Sequence, residues 1–124
     1  MPQVDLARLD LSPQHLALLR ELLTRHVPDA EVWAYGSRVS GSAHEGSDLD
    51  LVLRQPQDLH ADVTGWLELN EALQNSRLPI LVEIHLWPRL PATFHQEIER
   101  QYVIVQQGRA THPLDPAEAV GAGR

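Results

Sequence analysis

The sequence contains no cysteine and no lysine. The first absence excludes disulfides and thiolate metal sites, and it suits a reducing cytosol. The second leaves ten arginines against seventeen aspartates and glutamates, a formal net charge of −7. Proteins that grip long polyanions carry a basic face, so direct binding of nucleic acid is not expected. A small anion that arrives with metal ions is compatible with this balance, because the metals supply the positive charge. Long apolar runs are also missing. None approaches the ~20 residues of a membrane span, and the opening MPQVDLARLD has neither the basic nor the apolar region of a secretory signal. The expectation is a cytoplasmic chain with no membrane partner. Its 124 residues fit one domain, large enough to bury roughly two-thirds of its unfolded surface.

Hydrophobic periodicity orders the elements. Ser12-Pro13 reads as a helix start, with Ser as N-cap and Pro at the first helical position. Leu16, Leu19, Leu23 and Val27 follow at helical spacing until Pro28 ends the run. Glu31 to Tyr35 reads as a strand stopped by Gly36. Asp48 to Leu53 alternates strictly and reads as a second strand. Asp58 to Ser76 carries a helical stripe, interrupted by Gly65. Ile80 to Leu86 reads as a third strand, Phe94 and Ile98 stack on a short helix after Pro91, and Tyr102 to Val105 reads as a fourth strand. A polar, small-residue tail follows from Gln107, so the chain divides into a domain over 1–106 and a flexible tail over 107–124. Strands two and three are joined through a helix and should be parallel. Strands one and two are joined by a loop too short for a crossover and should be antiparallel. The expected fold is α+β, with α/β-type order and a small mixed sheet.

The chemistry concentrates in YGSRVSGSAHEGSDLDLVL, from Tyr35 to Leu53. On a strand, residues i and i+2 share a face roughly 6–7 Å apart, so Asp48 and Asp50 point one way while Leu49, Leu51 and Leu53 point to the helices. Carboxylates that close call for a cation, and hard divalent ions bind carboxylate and phosphate oxygens together. A pair of metals about 4 Å apart recurs in phosphoryl and nucleotidyl transfer. In ILVEIHLW, Glu83 has the parity to join Asp48 and Asp50 as a third acidic ligand. Gly36 and Ser37 end a strand where backbone N–H groups can cradle an anion, helped by a helix starting near Arg38. Arg38 and Ser47 complete the phosphate-binding candidates. An Asp-x-Asp on a surface strand is commonly just solvated, and a lone Gly-Ser carries less still. Their combination at this spacing, with an acid of matching parity on the next strand, is specific.

Other residues read more plainly. His44 lies in the loop and could reach a phosphate, with plain solvent exposure the simpler reading. His85 shares the face of Glu83 and could help position a substrate, with a partly buried structural histidine the simpler reading. The seven histidines show no zinc-ligand spacing. Trp33, Trp66 and Trp87 are core or rim, with Trp87 also a candidate for stacking on a base or partner.

Gly36-Ser37 followed after ten residues by Asp48-Leu49-Asp50 resembles the signature of the DNA polymerase beta-like nucleotidyltransferase superfamily. The stretch from about Leu16 to Gln106 resembles its minimal nucleotidyltransferase (MNT) domains, as found in HEPN/MNT toxin–antitoxin pairs. The resemblance implies a nucleotidyltransferase fold with helices packed on one face of the sheet. It implies two Mg²⁺ ions, ATP as donor, and nucleotidyl transfer with release of pyrophosphate. It assigns phosphate binding to Gly36 and Ser37 and metal binding to Asp48 and Asp50. Glu83 stands where the family usually has a third Asp that orients or deprotonates the attacking hydroxyl. The implied function is an antitoxin that transfers AMP to a hydroxyl of a HEPN-domain toxin. The alternative is a catalytically weak MNT module that neutralises its HEPN partner by contact alone.

Overall fold

The computed structural model describes residues 3–44 and 46–108. Its first strand, β1 (Gln3–Val4), precedes α1 (Pro13–His26), β2 (Glu31–Tyr35), the one-turn α2 (Ser37–Ser40), β3 (Leu49–Arg54), α3 (Trp66–Gln74), β4 (Val82–Leu86), α4 (Ala92–Glu99) and β5 (Tyr102–Gln106). Short 3₁₀ turns at Leu6–Arg8 and Trp87–Arg89 complete the order.

The five strands form one mixed sheet in the order β1-β5-β2-β3-β4. The β2–β3 pair is antiparallel and the β3–β4 pair parallel, as the connection lengths require. β5 inserts between β1 and β2, parallel to the first and antiparallel to the second. β1 was not expected. Two residues carry no usable periodicity, and their pairing partners Tyr102 and Val103 lie at the far end of the sequence.

One face of the sheet is the main core. Val32 and Ala34 of β2, Leu49, Leu51 and Leu53 of β3, and Val103 and Val105 of β5 bury against the stripe of α1 (Leu19, Leu22, Leu23) and that of α3 (Leu69, Leu73). Ser12 caps α1, its side chain accepting from the His15 amide. The helix expected over 58–76 is shorter than its stripe. It begins only after Gly65, whose φ of +94° breaks the helical backbone. The break is imposed by packing: a Cβ at Gly65 would lie 2.3 Å from the carbonyl oxygen of His26, the last residue of α1. On the second face, Trp33, Tyr35, Val52, Trp87 and Ile98 form a smaller cluster, with Phe94 of α4 and Tyr102 packed on it. Trp33 stacks on Tyr102 with ring centroids 3.9 Å apart, and the Arg54 guanidinium lies 4.2 Å above Trp33. The tail expected from Gln107 lies, from residue 109 onward, outside the described residues, as does Glu45.

Candidate active site

The register of the sheet builds the site. Tyr35 is the Cα partner of Asp50 across β2–β3, and Asp50 is the partner of Glu83 across β3–β4. Partners in a sheet share a face, and neighbouring strands stand about 4.8 Å apart. Tyr35, Asp50 and Glu83 therefore form one row across three strands, on the face away from α1 and α3. His85 follows two residues after Glu83 on the same face. One ligand atom from each of Asp50, Glu83 and His85 lies within 4.8 Å of the other two, and His85 Nε2 stands 3.8 Å from Glu83 Oε1.

Asp48 sits on the chain just before β3, half-buried, outside this trio but near enough to act on Asp50. The Asp50 carboxyl is raised above its ordinary pKa, first by burial, then by the charge of Glu83 and, to a smaller degree, that of Asp48; His85 pulls it the other way. Burial and the same two neighbours, Asp50 and Glu83, push the Tyr35 phenol well above its ordinary value. The Tyr35 hydroxyl is buried and has no hydrogen-bond partner among the described residues.

Gly36 ties the turn to the acids. Its φ of +86° and ψ of −156° fall in a region open essentially to glycine alone. A Cβ there would lie 2.6 Å from Asp50 Oδ2, so only a bare backbone lets the turn pass this close to the carboxylate. Ser37 then opens α2, half-exposed. A cavity of about 390 Å³ opens beside this turn, lined among others by Tyr35, Gly36, Ser37 and Phe94.

Arg38 faces elsewhere. It is 7% exposed, and its guanidinium donates to the carbonyls of Asp10 at 2.8 Å, Ser47 at 2.9 Å and His44 at 3.5 Å. The Ser47 hydroxyl accepts from the His44 amide at 3.0 Å. Both residues thus shape the return loop that delivers Asp48. Trp87 is buried, stacked on His95 with centroids 3.7 Å apart, which makes it a core residue. The structure brings together Gly36, Ser37, Asp50 and Glu83, and adds His85 and Tyr35. Strand parity already places His85 on Glu83's face, and its closeness to Asp50 comes from the register of β3 and β4. Nothing local marked Tyr35, whose importance comes from its partner across β2–β3.

A carboxylate pair with an adjacent imidazole fits a divalent cation. The excess of negative charge on Asp50 needs compensation, and the bare Gly36 backbone leaves the Asp50 oxygen open towards the turn. The family described as "Nucleotidyltransferase domain" matches residues 16–106. This chain belongs to the nucleotidyltransferase family. The nucleotidyltransferase is of the MNT type: "Probable protein adenylyltransferase MntA" of Haemophilus influenzae is 37% identical to it over 105 residues, covering 85% of this chain and 90% of its own length. A solved structure described as "Crystal structure of the toxin-antitoxin with AMP-PNP" shares the nucleotidyltransferase's fold, with a TM-score of 0.59 at 16% identity over 88% of this chain and 85% of its own.

Proposed function

We propose that this nucleotidyltransferase moves the adenylyl group of ATP onto a hydroxyl of a partner protein, and that the partner is a HEPN-domain toxin which it holds in check. The observation that carries the reading is the row of Asp50 and Glu83 with the Gly36 backbone against it, which joins a phosphate-sized turn to a cation site. The relative named as a protein adenylyltransferase and the fold shared with a toxin–antitoxin structure support the choice of donor and partner.

In this reading Gly36 and Ser37 bind phosphate oxygens, with the Ser37 hydroxyl donating. Asp48, Asp50 and Glu83 hold divalent cations, two Mg²⁺ in the family pattern, which when bound neutralise the triphosphate and polarise its α-phosphorus. Arg38 and Ser47 act at one remove, through their hydrogen bonds at His44 and Ser47 ahead of Asp48. Glu83 accepts the proton of the attacking hydroxyl. The hydroxyl oxygen bonds to the α-phosphorus, the bond to the β-phosphate oxygen breaks, and pyrophosphate leaves. No described helix is long and apolar enough to cross a membrane, which is compatible with action in the cytoplasm.

Labelled ATP, this protein and a HEPN-domain protein as acceptor decide the matter, read by mass spectrometry of the acceptor. The expected product carries added adenylyl groups. Glu83→Gln should abolish the transfer, because an amide cannot take the proton, and Glu83→Asp should keep or raise it. A second reading is favoured by one observation: Glu83 adds a methylene, roughly 1.5 Å of reach, to the usual Asp, and a misplacement near 1 Å can cost ~10²-fold in rate. The protein would then neutralise its partner by contact. A stable, inhibited complex whose toxin carries no added mass would select that reading.

A further inference from the structure

His85 changes what the acid row can hold. Mg²⁺ takes oxygen ligands almost exclusively, whereas imidazole nitrogen suits first-row transition ions. In β4 the sequence Val82-Glu83-Ile84-His85 sends Glu83 and His85 to one face, and the register sets Glu83 beside Asp50. The three ligand atoms already lie within 4.8 Å of one another. The His85 and Glu83 side chains are 34% and 47% exposed, so both are free to close the remaining distance onto one ion. A second, independent feature points at the same spot. Tyr35 is only 9% exposed, its hydroxyl lacks a partner among the described residues, and it occupies the same row beside Asp50. A buried O–H with no acceptor is costly. The Tyr35 ring centroid stands 6.2 Å from that of His85, on the face that carries Asp50 and Glu83.

We propose that Asp50, Glu83 and His85 form a mixed oxygen–nitrogen cation site, in which His85 is a direct ligand that selects a transition-metal divalent ion of the Mn²⁺ class over Mg²⁺. The inference rests on the cation site of the function proposed above and names the ion that site prefers. It also gives the Glu-for-Asp exchange a physical sense. The longer side chain moves the carboxylate outward, to where it can share an ion with an imidazole two residues further along the strand.

The test uses the full-length protein and Mn²⁺ alone, without nucleotide or partner. The electron paramagnetic resonance signal of free Mn²⁺ disappears on binding, which yields the affinity, and competition with Mg²⁺ yields the ratio. Electron spin echo modulation reports whether a nitrogen nucleus is bound to the ion. The expected result is nitrogen modulation from an imidazole in the unaltered protein. His85→Asn should remove that modulation and lower the Mn²⁺-to-Mg²⁺ affinity ratio by about tenfold or more. Oxygen-only coordination in the unaltered protein would overturn the inference, and it needs no variant to be seen. So would an unchanged ratio in a folded His85→Asn protein, which would leave His85 as a neighbour of Glu83 and not a ligand. Neither result touches the adenylyl transfer itself. That reading stands or falls on the mass of the toxin.

Discussion

At the scale of single residues, the site is held together against its own electrostatics. Asp50 is disfavoured as an anion by burial and by Glu83, so the folded chain holds the Asp50 proton more tightly than the unfolded chain does. By linkage, stability falls as pH rises from the ordinary carboxylate value through this raised one, and the loss persists above it. In metal-free protein at neutral pH, Asp50→Asn should therefore raise the melting temperature. The gain should vanish in acid, where the wild-type carboxyl is already protonated. Scanning calorimetry in chelator across pH checks both the sign and the window. Arg38 and Ser37, adjacent in sequence, should respond in opposite ways. Arg38 serves three backbone carbonyls from a buried position, and the planar fork that does so is not available to lysine. Arg38→Lys should lower unfolding stability by about 3 kcal/mol, read as a shift in the urea midpoint. Ser37→Ala should leave that midpoint in place and weaken Mg–ATP binding by about 1.5–3 kcal/mol, the worth of one charge-assisted hydrogen bond, read by calorimetric titration.

At the scale of elements, the helices are set by where they touch rather than by their stripes alone. The helical pattern read over Leu59, Val63, Trp66, Leu67 and Leu73 runs longer than α3 itself, and within α3 it is Leu69 rather than the exposed Leu67 that is buried. α3 starts late because its first turn abuts the end of α1, where the Gly65 backbone meets the His26 carbonyl. Gly65→Ala should destabilise the protein by at least about 2 kcal/mol, combining the left-handed backbone cost with a backbone clash. Chemical denaturation would show it. The damage should stay on the far face of the sheet, so residual folded protein should keep its affinity for Mg–ATP. β4, the edge strand of the sheet among the described residues, carries Glu83 and His85. Strand edges keep free N–H and C=O groups, and here those groups border the site.

At the scale of the whole molecule, the proposed site turns the acids that weaken the metal-free protein into a source of ligand-dependent stability. A cation and nucleotide that bind only the folded state stabilise it by about 2.7 kcal/mol at a hundredfold excess over Kd. Mg–ATP should accordingly raise the melting temperature. Replacing Asp48 and Asp50 together by asparagine should remove that response while the protein remains folded. A double variant that kept the same shift would place the cation elsewhere. The formal net charge of −7 acts in the same direction: without cations, an anionic nucleotide approaches an anionic protein.

The sequence by itself determined the succession of elements from α1 to β5, the mixed sheet and the parity that turns Asp50 and Glu83 to one face, because strand parity and connection length are local properties. The Gly-Ser turn ahead of Asp-x-Asp was legible for the same reason, since a turn and the strand after it lie within twenty residues. Tertiary structure decided the rest. The row of Tyr35, Asp50 and Glu83 depends on register, which hydrogen bonding between distant segments sets. β1 exists only because β5 offers it an edge. Arg38 sits beside the Gly-Ser turn in sequence, yet its side chain turns inward to Asp10, His44 and Ser47, because a buried guanidinium goes where carbonyls need donors. His85 looked structural because a single residue does not reveal what stands opposite it. Only the folded sheet brings two carboxylates within reach of its imidazole.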